Sequence, residues 1–177
     1  MTFNVDRGHP LRKLFSGLVE QVFMAEVGIC DPQLTDYLGD MLMDFVHVDR
    51  IYRMQSVDGQ TICEVSRIEA DAFLGPQINA ATRTLVVNRF IGDFTLFWTG
   101  VYPEHLRLRR RAGGDRLREY LLQGKRSYGI AGELADPKSK PPAELLRRLS
   151  QEFEACVHGL QRVRTGLDRL HGLSRPN

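Results

Sequence analysis

The chain lacks most of the features that announce a function. It has three cysteines, Cys30, Cys63 and Cys156, set far apart with no Cys-x-x-Cys pair. That and the odd count argue against a disulfide framework, and leave each thiol as a small buried apolar residue in a reducing compartment. No Gly-x-Ser-x-Gly elbow, phosphate-binding loop, dinucleotide fingerprint or His-Glu-x-x-His occurs. Long apolar runs are missing too. The most apolar stretch, Phe94 to Val101, is far too short to span a bilayer. The first ten residues, MTFNVDRGHP, hold no signal-peptide core, so the expected location is the cytoplasm, with no membrane contact.

What is present fits a folded domain. With 177 residues, 42% hydrophobic and 26% charged, the chain can bury a core without staples, and disorder throughout is excluded. Net charge is only +2, yet it is unevenly spread. Residues 1–104 hold 8 Lys/Arg against 14 Asp/Glu, a net −6, and residues 105–177 hold 16 against 8, a net +8. An acidic front and a basic back attract each other within a chain or between subunits.

Apolar spacing predicts helices throughout. The first runs from Pro10 to Val27, with Leu11, Leu14, Phe15, Leu18, Val22 and Ala25 at helical intervals and Gly28 as its stop. The second is capped by Asp31 ahead of Pro32. Its Leu34, Leu38, Met41, Phe45, Val48 and Tyr52 advance in alternating steps of four and three, a bundle seam. For residues 53–65 the choice lies between a hairpin around Asp58-Gly59 and a helix–loop–helix. The helical spacing of Val65, Ile68, Ala72 and Phe73 favours the latter. A third helix spans Asn79 to Tyr102, a short basic turn follows, and Asp115 caps a helix reaching Ala131.

Residues 136–142, DPKSKPP, form a hinge loop because three prolines forbid helix there. The last helix runs from Pro142 to Leu170. Its seam of Leu146, Leu149, Phe153, Cys156, Leu160, Val163, Leu167 and Leu170 keeps a strict 3.5-residue period, the pattern of supercoiled packing. Gly159 and Gly166 beside it suggest that another backbone passes close by. The expected architecture is all-α, a bundle of five or six helices with a long coiled-coil-like C-terminal helix. Residues 1–135 make the core, and residues 143–171 pack on that core or on a partner subunit in a homodimer.

One polar group stands out. Gly92 and Gly100 share a helix face and form a groove, with Asp93 beside it in an apolar stretch and Arg89 one turn earlier. A buried carboxylate needs a partner or takes up a proton. Tyr120, Gly124 and Tyr128, spaced by four, can meet that groove and bring both hydroxyls to Arg89 and Asp93. Arg89, Asp93, Tyr120 and Tyr128 are thus the candidate ligand-binding residues, against the plainer reading that they only fix helix register.

The run Gly92-Asp93-Phe94-Thr95-Leu96-Phe97, followed by Gly100, Pro103-Glu104, Tyr120, Gly124 and Tyr128, resembles an uncharacterised bacterial family of small helical proteins. Phe45-Val46-His47 and Arg50-Ile51-Tyr52-Arg53 resemble that family's second helix. The resemblance covers residues 10–135 and implies a shared core around Asp93, with no activity attached.

Other polar residues carry less. Asp44 with His47, and Asp168 with His171, have the spacing of di-iron ligands but fall off the buried seams, so no metal and no cofactor is expected. Glu154 and His158 read as a solvated pair. His105 after Glu104 has no nucleophile to serve, and no catalytic residue is assigned. Arg107, Arg109, Arg110, Arg111, Arg116, Arg118, Lys125 and Arg126 form a basic patch offset by Asp115 and Glu119, a net +6 over residues 105–126. The first functional expectation is a non-catalytic interaction protein, homo-oligomeric or bound to an acidic partner. A small-molecule binder or enzyme using the Asp93 group comes second, and nucleic-acid binding through the basic patch third.

Overall fold

The computed structural model describes residues 10–55, 79–108 and 116–173, without the side chains of 46–55, 105, 107, 108, 171 and 173. Among the described residues the fold is all-α, with seven helices and no strand. They are α1 (Pro10–Val22, continued by a π turn over Phe23–Val27), α2 (Pro32–Gln55), α3 (Ala80–Val101), α4 (Pro103–Leu108), α5 (Arg116–Leu134), α6 (Ala143–Gln151) and α7 (Phe153–Leu173). No described helix is long and apolar enough to cross a membrane. The choice between hairpin and helices over residues 53–65 falls mostly outside the described residues, as do Cys63 and the Arg109–Arg111 run.

Local chemistry sets the helix ends. Gly28 closes the π turn in the left-handed region, φ 80°, and sends its N–H back to the Phe23 carbonyl. Only glycine adopts that conformation without a Cβ penalty. The Asp31 Oδ1 accepts the N–H of Gln33 at 2.9 Å, capping α2. Asn79 does the same for α3 through the N–H of Thr82 at 2.7 Å.

The bundle centres on α3. Ten of its residues are buried, among them Gly92, Asp93 and Gly100. Helix α5 crosses it closely, α7 packs on its C-terminal half, and α1 covers α2 and α7. Buried threonines suit this interior because their hydroxyls turn inward: Thr95 and Thr99 each donate to the carbonyl four residues back at 2.7 Å. Small residues set the separations. A Cβ on Gly100 would lie 2.7 Å from the Leu160 Cβ, and one on Gly124 would lie 2.3 Å from the Thr95 Oγ1 and 2.4 Å from Phe153.

The C-terminal region differs from its expected form. The single helix from Pro142 is two helices, broken at Glu152, whose φ is −101° and ψ 23°. The break serves two docking partners. Helix α6 packs on α5, and α7 lies on α3 and α1 while keeping contact with α5. Arg148 braces the corner, donating to the Glu152 carboxylate at 3.3 Å and to the Asp31 Oδ2 at 2.5 Å. The seam itself lies inside this chain: Leu146, Leu149, Phe153, Cys156 and Leu160 are wholly buried, and only Leu170 emerges. The close neighbour of Gly159 is the Phe23 ring of the same chain, and that of Gly166 is Leu18. The loop over residues 136–142 is an ordered turn, with the Asp136 Oδ1 accepting the Lys138 N–H at 3.0 Å and Ala135 and Ala143 buried at its ends.

Two glycine substitutions should move stability in opposite directions. Gly124→Ala is expected to cost about 1–3 kcal/mol because its Cβ meets packed atoms on two helices. Gly17→Ala, with open space around the added methyl, should stabilise by about 0.5–1 kcal/mol. Urea unfolding of both variants against the native chain checks the pair.

Candidate functional site

Asp93 sits where α2, α3 and α5 meet. It lies midway along α3 and is 8% exposed. Gly92 beside it clears a path for the ring of Tyr128 from α5, which lies where a Cβ would stand, at 2.7 Å. Gly124, one turn earlier on α5, accepts Thr95 in the same manner. These two gaps bring α5 down on α3 and carry the fully buried Tyr128 hydroxyl to the Asp93 Oδ1, to which it donates at 2.7 Å.

A second donor comes from α2. The Tyr37 hydroxyl reaches the same Oδ1 at 2.5 Å. The other carboxylate oxygen faces the Arg89 guanidinium, whose Nε stands 3.9 Å away. That Nε is buried and makes no hydrogen bond, so Arg89 acts on Asp93 as a charge at a distance.

The electrostatics follow from burial. Removal from water raises the Asp93 carboxyl above its ordinary value, against the opposing pull of Arg89 and of the two tyrosine hydrogen bonds. Burial, and then the Asp93 charge, push both tyrosine hydroxyls well up. They remain protonated donors at any ordinary pH. Asp44, on the exposed flank of α2, is also raised, first by desolvation and then by the negative charge of Asp93.

Three of the four candidate residues therefore meet: Arg89, Asp93 and Tyr128. Tyr120 stands apart from the carboxylate, its ring tilted against Phe94 at 6.4 Å. The reason is helical rise. Eight residues along α5 separate the tyrosines by about 12 Å, more than one carboxylate can bridge. The group that takes its place, Tyr37, was not anticipated. Its signal was present, since Leu34, Tyr37, Leu38 and Met41 follow the three-four spacing of one buried face.

The remaining candidates scatter. Asp168 and His158 are exposed, and Glu154 pairs with Lys125 of α5 at 2.9 Å rather than with His158. The side chains of His47, His105, Arg107 and His171 lie outside the described residues. No group of three metal-ligating side chains forms among the described residues. Cys156 is buried, with its thiol pushed up to about 12, chiefly by desolvation. A thiol held protonated in this way is a poor nucleophile.

Chemically, the Asp93 group is a closed hydrogen-bonded node. Both tyrosine donors are spent on one oxygen, and Asp93 does not border the cleft that opens between α1, α3 and α7. Comparison with protein-family models, curated proteins and solved structures finds no match to this chain.

The node has a testable pH signature. A carboxyl whose folded value is raised holds its proton more tightly folded than unfolded. Its contribution to stability is greatest below the ordinary carboxylate value and falls as pH climbs through the raised one. Asp93→Asn keeps an acceptor for both tyrosines and removes that titration. Its stability relative to the native chain should therefore rise with pH between pH 3 and pH 7. Asp93→Ala removes the same titration but strands two buried hydroxyls, and should cost about 2–4 kcal/mol more than Asp93→Asn across that range. Denaturant unfolding across that range separates the two.

Proposed function

We propose that this chain acts by association and not by catalysis, through the outer face of α5. The observation that carries this is on that helix: Leu122, 60% exposed, and Arg126 one turn further on both face water. The opposite face of the same helix, Gly124, Tyr128 and Ala131, is buried against the bundle. A leucine with a guanidinium group beside it suits an apolar contact with an acidic border.

Two further facts support the reading. The titratable group at Asp93 serves helix contacts, and the Cys156 thiol is sealed. The chain also carries a net −6 over residues 1–104, so a second copy brings negative charge of the required sign. The proposed assembly is a homodimer in which the outer face of α5 on one protomer meets the acidic half of the other. The likeness of residues 10–135 to a bacterial helical family belongs to this same proposal, as does a cytoplasmic location. The small-molecule reading at Arg89, Asp93, Tyr120 and Tyr128, and the nucleic-acid reading at residues 107–126, rest on the sequence alone.

Sedimentation equilibrium tests the proposal. The native chain is expected to dimerise at low ionic strength and to dissociate as salt screens the charges. Leu122→Glu, at a solvent-facing position, should leave helicity intact and yield monomer. A native chain that stays monomeric, or a Leu122→Glu variant that sediments like the native chain, would refute the reading.

A further inference from the structure

Away from α5, the bundle opens into an apolar cleft of about 360 Å³ between α1, the C-terminal end of α3 and α7. Its floor is made of core residues. Phe15, Leu42, Phe97, Leu160 and Val163 line it, and all five are buried. Along this floor α3 and α7 are otherwise in close contact: a Cβ on Gly100 would lie 2.7 Å from the Cβ of Leu160. The opening is a gap beside a tight contact and not loose packing throughout. Leu14 of α1 stands at its rim, 38% exposed. A concavity of this size, apolar below and open at one side, is at the small end of ligand pockets.

Charge in the wall is already matched within the chain. Arg164 and Asp168 are the charged residues that line the cleft among the described residues. Arg164 donates to the Val101 carbonyl at 2.5 Å and to the Glu104 carboxylate at 2.6 Å. Its guanidinium lies 5.0 Å over the Tyr102 ring. Its Nε faces the Asp168 Oδ2 at 3.7 Å, and the Asp168 side chain is 71% exposed to water. A ligand ammonium would have to compete with Arg164 for Asp168 and for Tyr102. A ligand carboxylate would have to compete with Glu104 and Asp168 for Arg164. Either ion gives up hydration for groups that are in use. An uncharged molecule meets no such penalty, and the rest of the lining is apolar surface that favours it.

We infer that this cleft binds an uncharged, hydrocarbon-like molecule that lies along the Phe97–Leu160–Val163 floor. The volume sets its size. An apolar cavity of about 150 Å³ holds one benzene, so a cleft of about 360 Å³ takes about fourteen carbons. Burial of those carbons supplies the binding. The internal pairing of Arg164 supplies the selection, because it leaves a charged head group without a partner. This site is separate from both the Asp93 node and the outer face of α5.

Trp98, the sole tryptophan of the chain, reports on it. Its ring lies 5.8 Å from those of both Phe97 and Tyr102, two residues of the cleft wall. The native chain is titrated with decanol, decanoate and decyltrimethylammonium, three probes with one tail and different head groups. Binding is read by calorimetry and Trp98 fluorescence below micellar concentrations, with helicity followed by circular dichroism. Decanol should saturate at one per chain, change the Trp98 emission and leave helicity unchanged. It should bind about tenfold more tightly than either ion, since each ionic head group loses hydration at the mouth without a new partner. Hexanol should bind about two-hundredfold more weakly than decanol, about fourfold for each methylene lost. Leu14→Trp at the rim and Val163→Phe on the floor each crowd the opening and should weaken decanol about tenfold. No saturable binding of decanol, or equal or tighter binding of either ion, would overturn the assignment. So would native affinity for decanol in whichever of the two variants keeps native helicity.

Discussion

Helices α3 and α5 approach one another more closely than side chains normally permit, and the rest of the bundle is arranged around that approach. Gly92 on one helix and Gly124 on the other remove the Cβ atoms that would hold them apart, and Tyr128 and Thr95 fill the space released. The contact places a tyrosine hydroxyl on Asp93 in the interior, where an unmatched carboxylate would be costly. Tyr37 then ties α2 to the same oxygen, so one buried acceptor sets the positions of three helices. Apolar packing tolerates small slips along a helix; two hydrogen bonds to a single atom do not. The node therefore has a structural task that accounts for its polarity without a ligand.

The C-terminal third shows a second constraint. Its seam is apolar and buried as far as Val163, and it serves two surfaces, α5 through α6 and α3 with α1 through α7. The break at Glu152 resolves this at small cost. The Glu152 N–H still bonds the Arg148 carbonyl at 2.8 Å, and the Cys156 N–H bonds the Glu152 carbonyl at 2.9 Å. Helical hydrogen bonding runs through the interruption. The apolar seam of α6 and the first half of α7 is thus occupied inside the chain.

Much of this was legible in the residues. Asp31-Pro32, Asn79 and Gly28 punctuate the helices where they were expected, because caps and stops are local chemistry. Asp93, with Arg89 one turn before it and glycine beside it, read as a buried polar group for the same reason. Tyr120 and Tyr37 show where such reading ends. Both tyrosines on α5 have the spacing to share one face, but only the position of α5 along α3 decides which hydroxyl reaches the carboxylate. Tyr37 belongs to a helix 56 residues away in sequence, and no periodicity links it to Asp93.

By itself, the sequence determined which segments are helical and which stripe of each avoids water, since both follow from intervals of three and four residues within one segment. Tertiary structure alone decided how those stripes pair, which tyrosines meet Asp93, where the last helix is interrupted, and that an apolar cleft remains between α1, α3 and α7. These outcomes depend on distances between segments remote in the chain. Such distances are set by side-chain volume and close packing across the whole bundle, which no local pattern encodes.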